Sequence, residues 1–310
     1  MRIVDKKKCH NTLVVGVLFP QIIKYYLDYR KSLVNQTDTS FDVLIYCDQL
    51  VGNTFVETLD DTLNEIWIIN DKYRSPSAIR RYLIEFAIER AYDNIVFSDC
   101  DDFYSNNRIE ISKRCLESTN IVFNELDLVA EDSTPLSPGF CNEYFRVIPG
   151  SYYGIDRIKN GNIIGLSNSA INIKKMGFPK VPIPDGIVAT DWWLFSYLLS
   201  NNHPAFFTNR CKSFYRQTGF NVAGSVPVLD GPLLLSRLKL KINHYYTLHQ
   251  VFETTPWIAD YYDQYCLLEA ELSNRQFLNK YLKMINRNMK HIYDGWWSEL
   301  VTYEEYKKYV

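Results

Sequence analysis

Apolar and polar positions alternate in two regimes along the first hundred residues. Leu13-Val14-Val15-Gly16-Val17-Leu18 is an almost unbroken apolar run of strand length. Ile22 to Leu33 repeats at helical spacing, Asp42 to Cys47 reads as a second strand, and a weaker helix is expected near Phe55 to Leu63. The short strand Ile66 to Ile69, a helix over Ala78 to Ala91 and the strand Asn94 to Phe97 close the series. Strand–helix alternation of this kind predicts a mostly parallel sheet covered by helices. Ligands of such sheets gather beyond the carboxyl ends of the strands. From about Asn106 to Gly224 the pattern is mixed: Ile121 to Val129 is strand-like, a Gly/Tyr/Pro-rich stretch surrounds Pro149 to Gly154, and a helix begins near Asp191. From Gly231 onward the chain reads as helical, rich in Tyr, Leu and Trp, with few breakers.

Composition narrows the class of partner. A formal net charge of −2 gives no electrostatic case for nucleic acid. The seven cysteines are scattered and lack a C-x-x-C pair, which points to a reduced cytoplasm rather than a disulfide framework or a zinc site. Lys6-Lys7-Lys8 precede an apolar stretch, but the charged, amphipathic Gln21 to Lys31 follows at once, so the stretch reads as a strand and not a signal peptide. No apolar run reaches the length of a membrane span.

The most informative segment is Ile95-Val96-Phe97-Ser98-Asp99-Cys100-Asp101-Asp102, an apolar strand ending in three carboxylates within four positions. Such acids repel one another unless a cation sits among them. Oxygen ligands select a hard ion, Mg²⁺ or Mn²⁺, which characteristically takes one or two carboxylates plus substrate phosphates. Asp99 and Asp101 share a side by the strand period, while Asp102 points elsewhere. A solvated acidic turn is the plainer alternative. A haloacid-dehalogenase-type phosphatase would want Thr or Val where Phe103 stands, and a sugar-nucleotide pyrophosphorylase would want a Gly-rich basic loop in place of Leu18-Phe19-Pro20-Gln21.

Several segments in shared order resemble the family 2 glycosyltransferases. These are Ser32-Leu33-Val34-Asn35-Gln36-Thr37 followed by Phe41 to Asp48, then Ala78-Ile79-Arg80, then Asp99-Cys100-Asp101-Asp102. Gly165-Leu166-Ser167-Asn168, Thr190-Asp191-Trp192-Trp193, and Phe214-Tyr215-Arg216-Gln217 with Asn221 and Gly224 follow. The resemblance covers roughly Leu13 to Gly224 and implies an α/β fold of GT-A (Rossmann-like) type, with a mostly parallel central sheet flanked by helices; the helical tail, outside the resemblance, is read as a C-terminal helical extension. The expected division is a nucleotide-sugar half (1–105), an acceptor half (106–228) and the extension (229–310).

It also implies an inverting transfer from a nucleotide-sugar, a UDP-sugar by preference, to a hydroxyl of a glycan or lipid-linked oligosaccharide, of the kind used in bacterial surface polysaccharides. Mn²⁺ or Mg²⁺ would sit on Asp101, with Asp99 on the metal or the ribose. Phe19, Asp48, Arg80, Asp99, Cys100 and Arg216 would hold the nucleotide-sugar, with Asp48 accepting from an imide N–H of the base and Arg216 carrying diphosphate charge. Ser167, Asn168 and Trp192 would line the acceptor side, one of Trp192 and Trp193 forming a stacking wall. Asp191 is the candidate general base; Asp191 or Thr190 would also make a good helix N-cap, and an Asp can cap and catalyse together.

One departure stands out: Thr218 occupies the place of the family's late-loop histidine, so the ion would bind weakly until donor phosphates complete its site. His244 and His249 do not share a helix face, and the remaining histidines are isolated. The Tyr245-Tyr246, Tyr261-Tyr262 and Trp296-Trp297 pairs of the tail are read as core and docking contacts. A homodimer through the C-terminal helices and a peripheral contact at the inner membrane face are the partner options for a cytoplasmic protein. The competing functions are an Asp-x-Asp phosphotransferase and a relative that binds nucleotide-sugars without turnover.

Overall fold

The computed structural model describes residues 2–4, 7–48, 62–70, 74–177, 182–219, 228–288 and 300–309. The chain packs as two units. The first comprises Met1–Gly154, Ile164–Gly186 and Leu198–Thr218; the second comprises Ile155–Ile163, Ile187–Tyr197 and Gly219–Val310.

An eleven-stranded sheet forms the first unit. Its strands are β1 (Arg2–Val4), β2 (Thr12–Leu18), β3 (Asp42–Asp48), β4 (Glu65–Asn70), β5 (Asn94–Phe97), β6 (Phe103–Tyr104), β7 (Ile121–Val129), β8 (Pro135–Ser137), β9 (Gly150–Tyr152), β10 (Ser169–Asn172) and β11 (Ala205–Arg216). The spatial order is β1-β4-β3-β2-β5-β10-β7-β11-β6, with β8 on β7 and β9 on β11. Strands β4, β3, β2 and β5 are mutually parallel, as the alternating pattern predicts. Beyond β5 the sheet turns mixed: β10 runs antiparallel to both β5 and β7, and β11 then pairs parallel with β7. The three-residue β1, too short to show a period, adds an antiparallel edge on β4.

Strands β2 and β3 are buried at every position because helices cover both faces. The expected helix over Ile22 to Leu33 forms in two pieces, a 3-10 helix Pro20–Tyr25 and α1 (Tyr26–Val34). Its Tyr26, Tyr29 and Leu33 enter the core beside Val14, Val43 and Val96. Helix α2 (Pro76–Glu89) opens with Pro76 at its first position, and the Ser75 hydroxyl accepts from the Ala78 N–H at 3.3 Å. Helices α3 (Arg108–Leu116), α4 (Phe140–Glu143) and α5 (Ile173–Met176) complete the unit. The helix expected near Phe55 lies outside the described residues.

The second unit is helical, as the tail pattern predicts: most of α6 (Thr190–Ser200), with α7 (Gly231–Val251), α8 (Pro256–Leu272), α9 (Arg275–Asn288) and α10 (Tyr303–Lys307). The Lys241 ammonium is fully buried there and donates to the Asn160 and Leu300 carbonyls at 2.7 and 2.9 Å and to the Tyr265 hydroxyl at 3.0 Å. Those bonds offset the cost of burying a charge. Tyr245 and Tyr265 stack in the core, whereas Tyr246 pairs with Tyr262 nearer the surface. The Trp296-Trp297 pair lies outside the described residues. None of the seven cysteines is in a disulfide, and no described helix is long and apolar enough to cross a membrane.

Candidate active site

The parallel register aligns the carboxyl ends of four strands. Asp48 closes β3 directly beside Asn70, which closes β4. Phe19 follows β2 and packs partly buried against the core, and the acidic turn follows β5. Asp48 is buried and accepts from the Asn70 amide at 3.4 Å. Sequence reading missed Asn70. Only the strand register places it next to Asp48, although a polar residue ending an apolar strand was a visible hint. The buried Tyr46 hydroxyl, two positions before Asp48, has no hydrogen-bond partner among the described residues.

The turn itself is tight: the Asp102 N–H donates to the Asp99 carbonyl at 3.1 Å. It is seated by Tyr104, whose hydroxyl accepts from the Asp99 N–H at 3.1 Å. Cys100 points its fully buried thiol into the core, and burial pushes that thiol well above its ordinary range. The thiol packs where β2 carries no side chain: a Cβ on Gly16 would lie 2.8 Å from the Cys100 Sγ. The Cys100 thiol is therefore a core contact, and a donor could meet this residue only through its backbone.

The three carboxylates part company. Asp99 pairs with Arg80, which is mostly buried, so Arg80 is not a helix-surface cation. Its Nη1 is buried and has no hydrogen-bond partner among the described residues. Asp102 is fully buried, accepts from the Arg216 N–H at 2.7 Å and from the Ser167 hydroxyl, and is pushed well above the usual carboxylate range by burial and its acidic neighbours. Asp101 has no side-chain partner among the described residues. Burial, and then the charge of Asp99, raise its carboxyl from 3.8 to about 7, against the opposing pull of Arg216 and Arg80.

Arg216 is placed differently from the expectation. Its side chain is 1% exposed, with Nε donating to the Asp101 carbonyl at 2.7 Å and Nη1 to the Glu131 carbonyl and the Ser133 hydroxyl at 2.6 and 2.9 Å. Nη2 meets Asp28 at 3.1 Å, and the guanidinium lies 4.5 Å from the Tyr25 ring centre. Arg216 thereby holds the backbone of the acidic turn. A buried arginine satisfied by backbone carbonyls has no signature in sequence.

The expected acceptor residues are also more enclosed than anticipated. Ser167 is buried on Asp102, and the fully buried Asn168 donates to the Asn124 carbonyl at 3.0 Å. In the second unit both Trp192 and Trp193 are fully buried. Trp192 stacks on His244 with centroids 3.7 Å apart and donates its indole N–H to the Ile158 carbonyl at 2.6 Å. Both rings thus sit in the core, because α6 is buried around nearly its whole circumference. Burial and the Lys241 charge hold His244 well below its ordinary range, which makes it a structural neutral ring. Asp191 stands in the first turn of α6, its carboxylate accepting from the Trp192 N–H at 2.8 Å. Thr218 lies two residues past β11; Asn221 and Gly224 lie outside the described residues.

Among the described residues no three histidine, cysteine or carboxylate groups converge to cage a metal. The donor set nevertheless fits a hard ion. Asp101 is an oxygen ligand that burial and a neighbouring acid disfavour as a bare anion, and Mg²⁺ or Mn²⁺ sites that share substrate phosphates need no more than one or two such groups.

No protein-family model and no curated protein matches the chain. Solved structures do. A crystal structure of S. aureus TarS 1-349 superposes over 77% of this chain and 65% of its own length, at TM-score 0.54 and 13% identity; a longer TarS structure is covered over only 39% of its length. The UDP-GlcNAc complex of TarS 1-349 aligns over 96% of this chain and 91% of its own, at TM-score 0.53 and 13% identity. The mannosyltransferase PcManGT from Pyrobaculum calidifontis, in complex with GDP-Man and Mn²⁺, aligns over 91% and 81%, at TM-score 0.55 and 9% identity. The fold is that of the GT-A glycosyltransferases.

Proposed function

We propose that the chain transfers a sugar from a nucleoside-diphosphate donor to a hydroxyl of a glycan or lipid-linked glycan, with inversion at the anomeric carbon. The observation that carries this reading is the division of labour in the acidic turn. Asp102 anchors it, Asp99 engages Arg80, and Asp101 has no side-chain partner while burial and repulsion disfavour its charge. A cation relieves that repulsion, and the aligned strand ends supply groups suited to a nucleotide. Asp48 accepts an imide N–H, which favours a uracil base, and Asn70 offers an amide beside it. The buried Arg80 Nη1, a donor without a partner among the described residues, is satisfied by a ribose or phosphate oxygen. TarS and PcManGT, with UDP-GlcNAc and with GDP-Man and Mn²⁺ respectively, support the class of donor.

Asp101 would hold the ion, with Asp99 as its second carboxylate once the donor draws Arg80 away. When bound, the ion neutralises charge developing on the diphosphate leaving group. Asp191 takes the proton of the acceptor hydroxyl as its oxygen attacks the anomeric carbon. Ser167 acts by fixing Asp102, and Arg216 by fixing the backbone of Asp101.

Release of nucleoside diphosphate from UDP- and GDP-sugars, with and without Mn²⁺ or Mg²⁺, tests the proposal. Metal-dependent release from at least one donor is expected. No metal-linked binding or release with any donor would end it, and release of inorganic phosphate from a phosphomonoester would move the chain to the phosphotransferases.

A further inference from the structure

A groove of about 640 Å³ opens within the first unit between α1 and β6, and Asp28, Lys31, Asn35, Phe103, Asn106 and Ser133 are among its lining residues. Its volume is within the range of small-ligand sites, roughly 300–1,000 Å³. One end is tied to the acidic turn. Arg216 donates to both Asp28 and Ser133 from the guanidinium whose Nε holds the Asp101 carbonyl. From Asp28 to Asn35 the helix advances about 10 Å at ~1.5 Å per residue, so the groove leads away from the turn along α1.

The lining is matched to a hydroxyl-rich ligand. Phe103 is held flat against Phe214, with centroids 4.6 Å apart and planes 12° from parallel, and the Arg216 guanidinium lies 5.5 Å from its ring centre, which fixes the aromatic edge it contributes to the lining. The side chains of Lys31, Asn35 and Asn106 have no hydrogen-bond partner among the described residues, so ammonium and amide groups are available to a ligand. Amides both donate and accept, as sugar hydroxyls do, and an ammonium suits a hydroxyl or an acidic substituent.

We propose that this groove binds an oligosaccharide, the non-reacting part of the acceptor chain, lying past Phe103 toward Asn35 and Asn106. The assignment to the acceptor rests on the glycosyltransferase reading; the capacity to bind carbohydrate does not.

The test is a microarray of neutral and acidic oligosaccharides probed with the full chain, wild type against the triple variant Lys31→Ala/Asn35→Ala/Asn106→Ala and against Phe103→Leu. The triple changes lie at exposed positions and leave the fold intact, which keeps the test decisive if the buried-edge Phe103 variant loses stability. Wild type is expected to retain a defined set of glycans, and the triple variant to lose at least about tenfold in apparent affinity for them, with metal-dependent UDP-sugar hydrolysis unchanged. Retention of no glycan by the wild type, or of the same set at undiminished strength by the triple variant, overturns the groove assignment. Absence of hydrolysis in the wild type instead marks failure of the glycosyltransferase reading, whatever the array shows.

Discussion

Replacing Asp101 by Asn removes one ionisable oxygen while keeping nearly the same shape. In the folded chain burial and the Asp99 charge hold the Asp101 proton to about pH 7, where an unfolded carboxyl would release it near 3.8. The folded state therefore binds a proton that the unfolded chain has lost. Stability from this group is complete below the unfolded value and drains away as pH rises through about 7. At roughly 1.4 kcal/mol per tenfold in proton affinity, the ionised form carries a ceiling on the order of 4 kcal/mol above neutrality. Asn escapes that penalty. In metal-free buffer the melting temperature of Asp101→Asn should pull ahead of that of the wild type as pH rises above about 4, by roughly 2 °C for each kcal/mol recovered, and reach its full lead above about pH 7.5, the two converging only below about pH 4. Mn²⁺ with UDP should reverse the order, because the wild type gains binding energy that the variant cannot. Scanning fluorimetry over pH, with and without Mn²⁺ and UDP, reads both effects. Parallel pH profiles for the two proteins, or full Mn²⁺–UDP stabilisation of the variant, would refute the assignment of Asp101.

Four further perturbations follow from the same geometry. Asp191→Asn should fold and bind donor normally yet lose roughly 10²–10⁴-fold in transfer rate; retention of most activity would leave Asp191 as part of the helix N-terminus alone. Arg216→Lys discards the fork that holds Asp101, Glu131 and Ser133, and should cost on the order of 2–4 kcal/mol in denaturant melts and raise the Mn²⁺ concentration at half-maximal activity; an unchanged metal requirement would contradict its bracing role. Gly16→Ala drives a methyl against Cys100, Tyr29 and Ile45, so a loss of about 1–3 kcal/mol with weakened metal response is expected, and wild-type stability would show that the acidic turn does not lean on β2. Asp48→Asn should weaken UDP binding by about 1.5–3 kcal/mol, the worth of a charge-assisted hydrogen bond, as measured by calorimetry; undiminished affinity would place the base elsewhere.

How much of this was legible before the structure depended on the range of the interactions involved. The parallel half of the sheet was readable because β2, β3 and β4 are buried strands bounded by helical periods, a local signal. The carboxylates at the ends of β3 and β5 were readable for the same reason. What escaped was set by pairing between distant segments. Asn70 became part of the site only through its register with Asp48. The antiparallel β10 is four residues long and carries no period of its own. Trp192 and Trp193 looked divisible between core and surface, but α6 is buried around nearly its whole circumference, so both went inward.

Arg216 shows what such distant pairing does for chemistry. Three acids in four positions cannot all remain charged and unpaired in one buried turn, so the fold has to assign each a different fate. The assignment comes from residues far along the chain: Arg80 from α2 for Asp99, and Ser167 with the Arg216 backbone for Asp102. Asp101 is the residue left over, and the Arg216 guanidinium grips its carbonyl rather than its carboxylate. Gripping the carboxylate would neutralise it; gripping the backbone fixes its position and leaves the charge for a cation. Under the proposed function, a site that binds its ion together with the donor's phosphates would gain from this arrangement. With its carboxyl raised to about 7, the acid is only partly ionised near neutral pH in the empty protein, and an arriving cation would draw it into the ionised form.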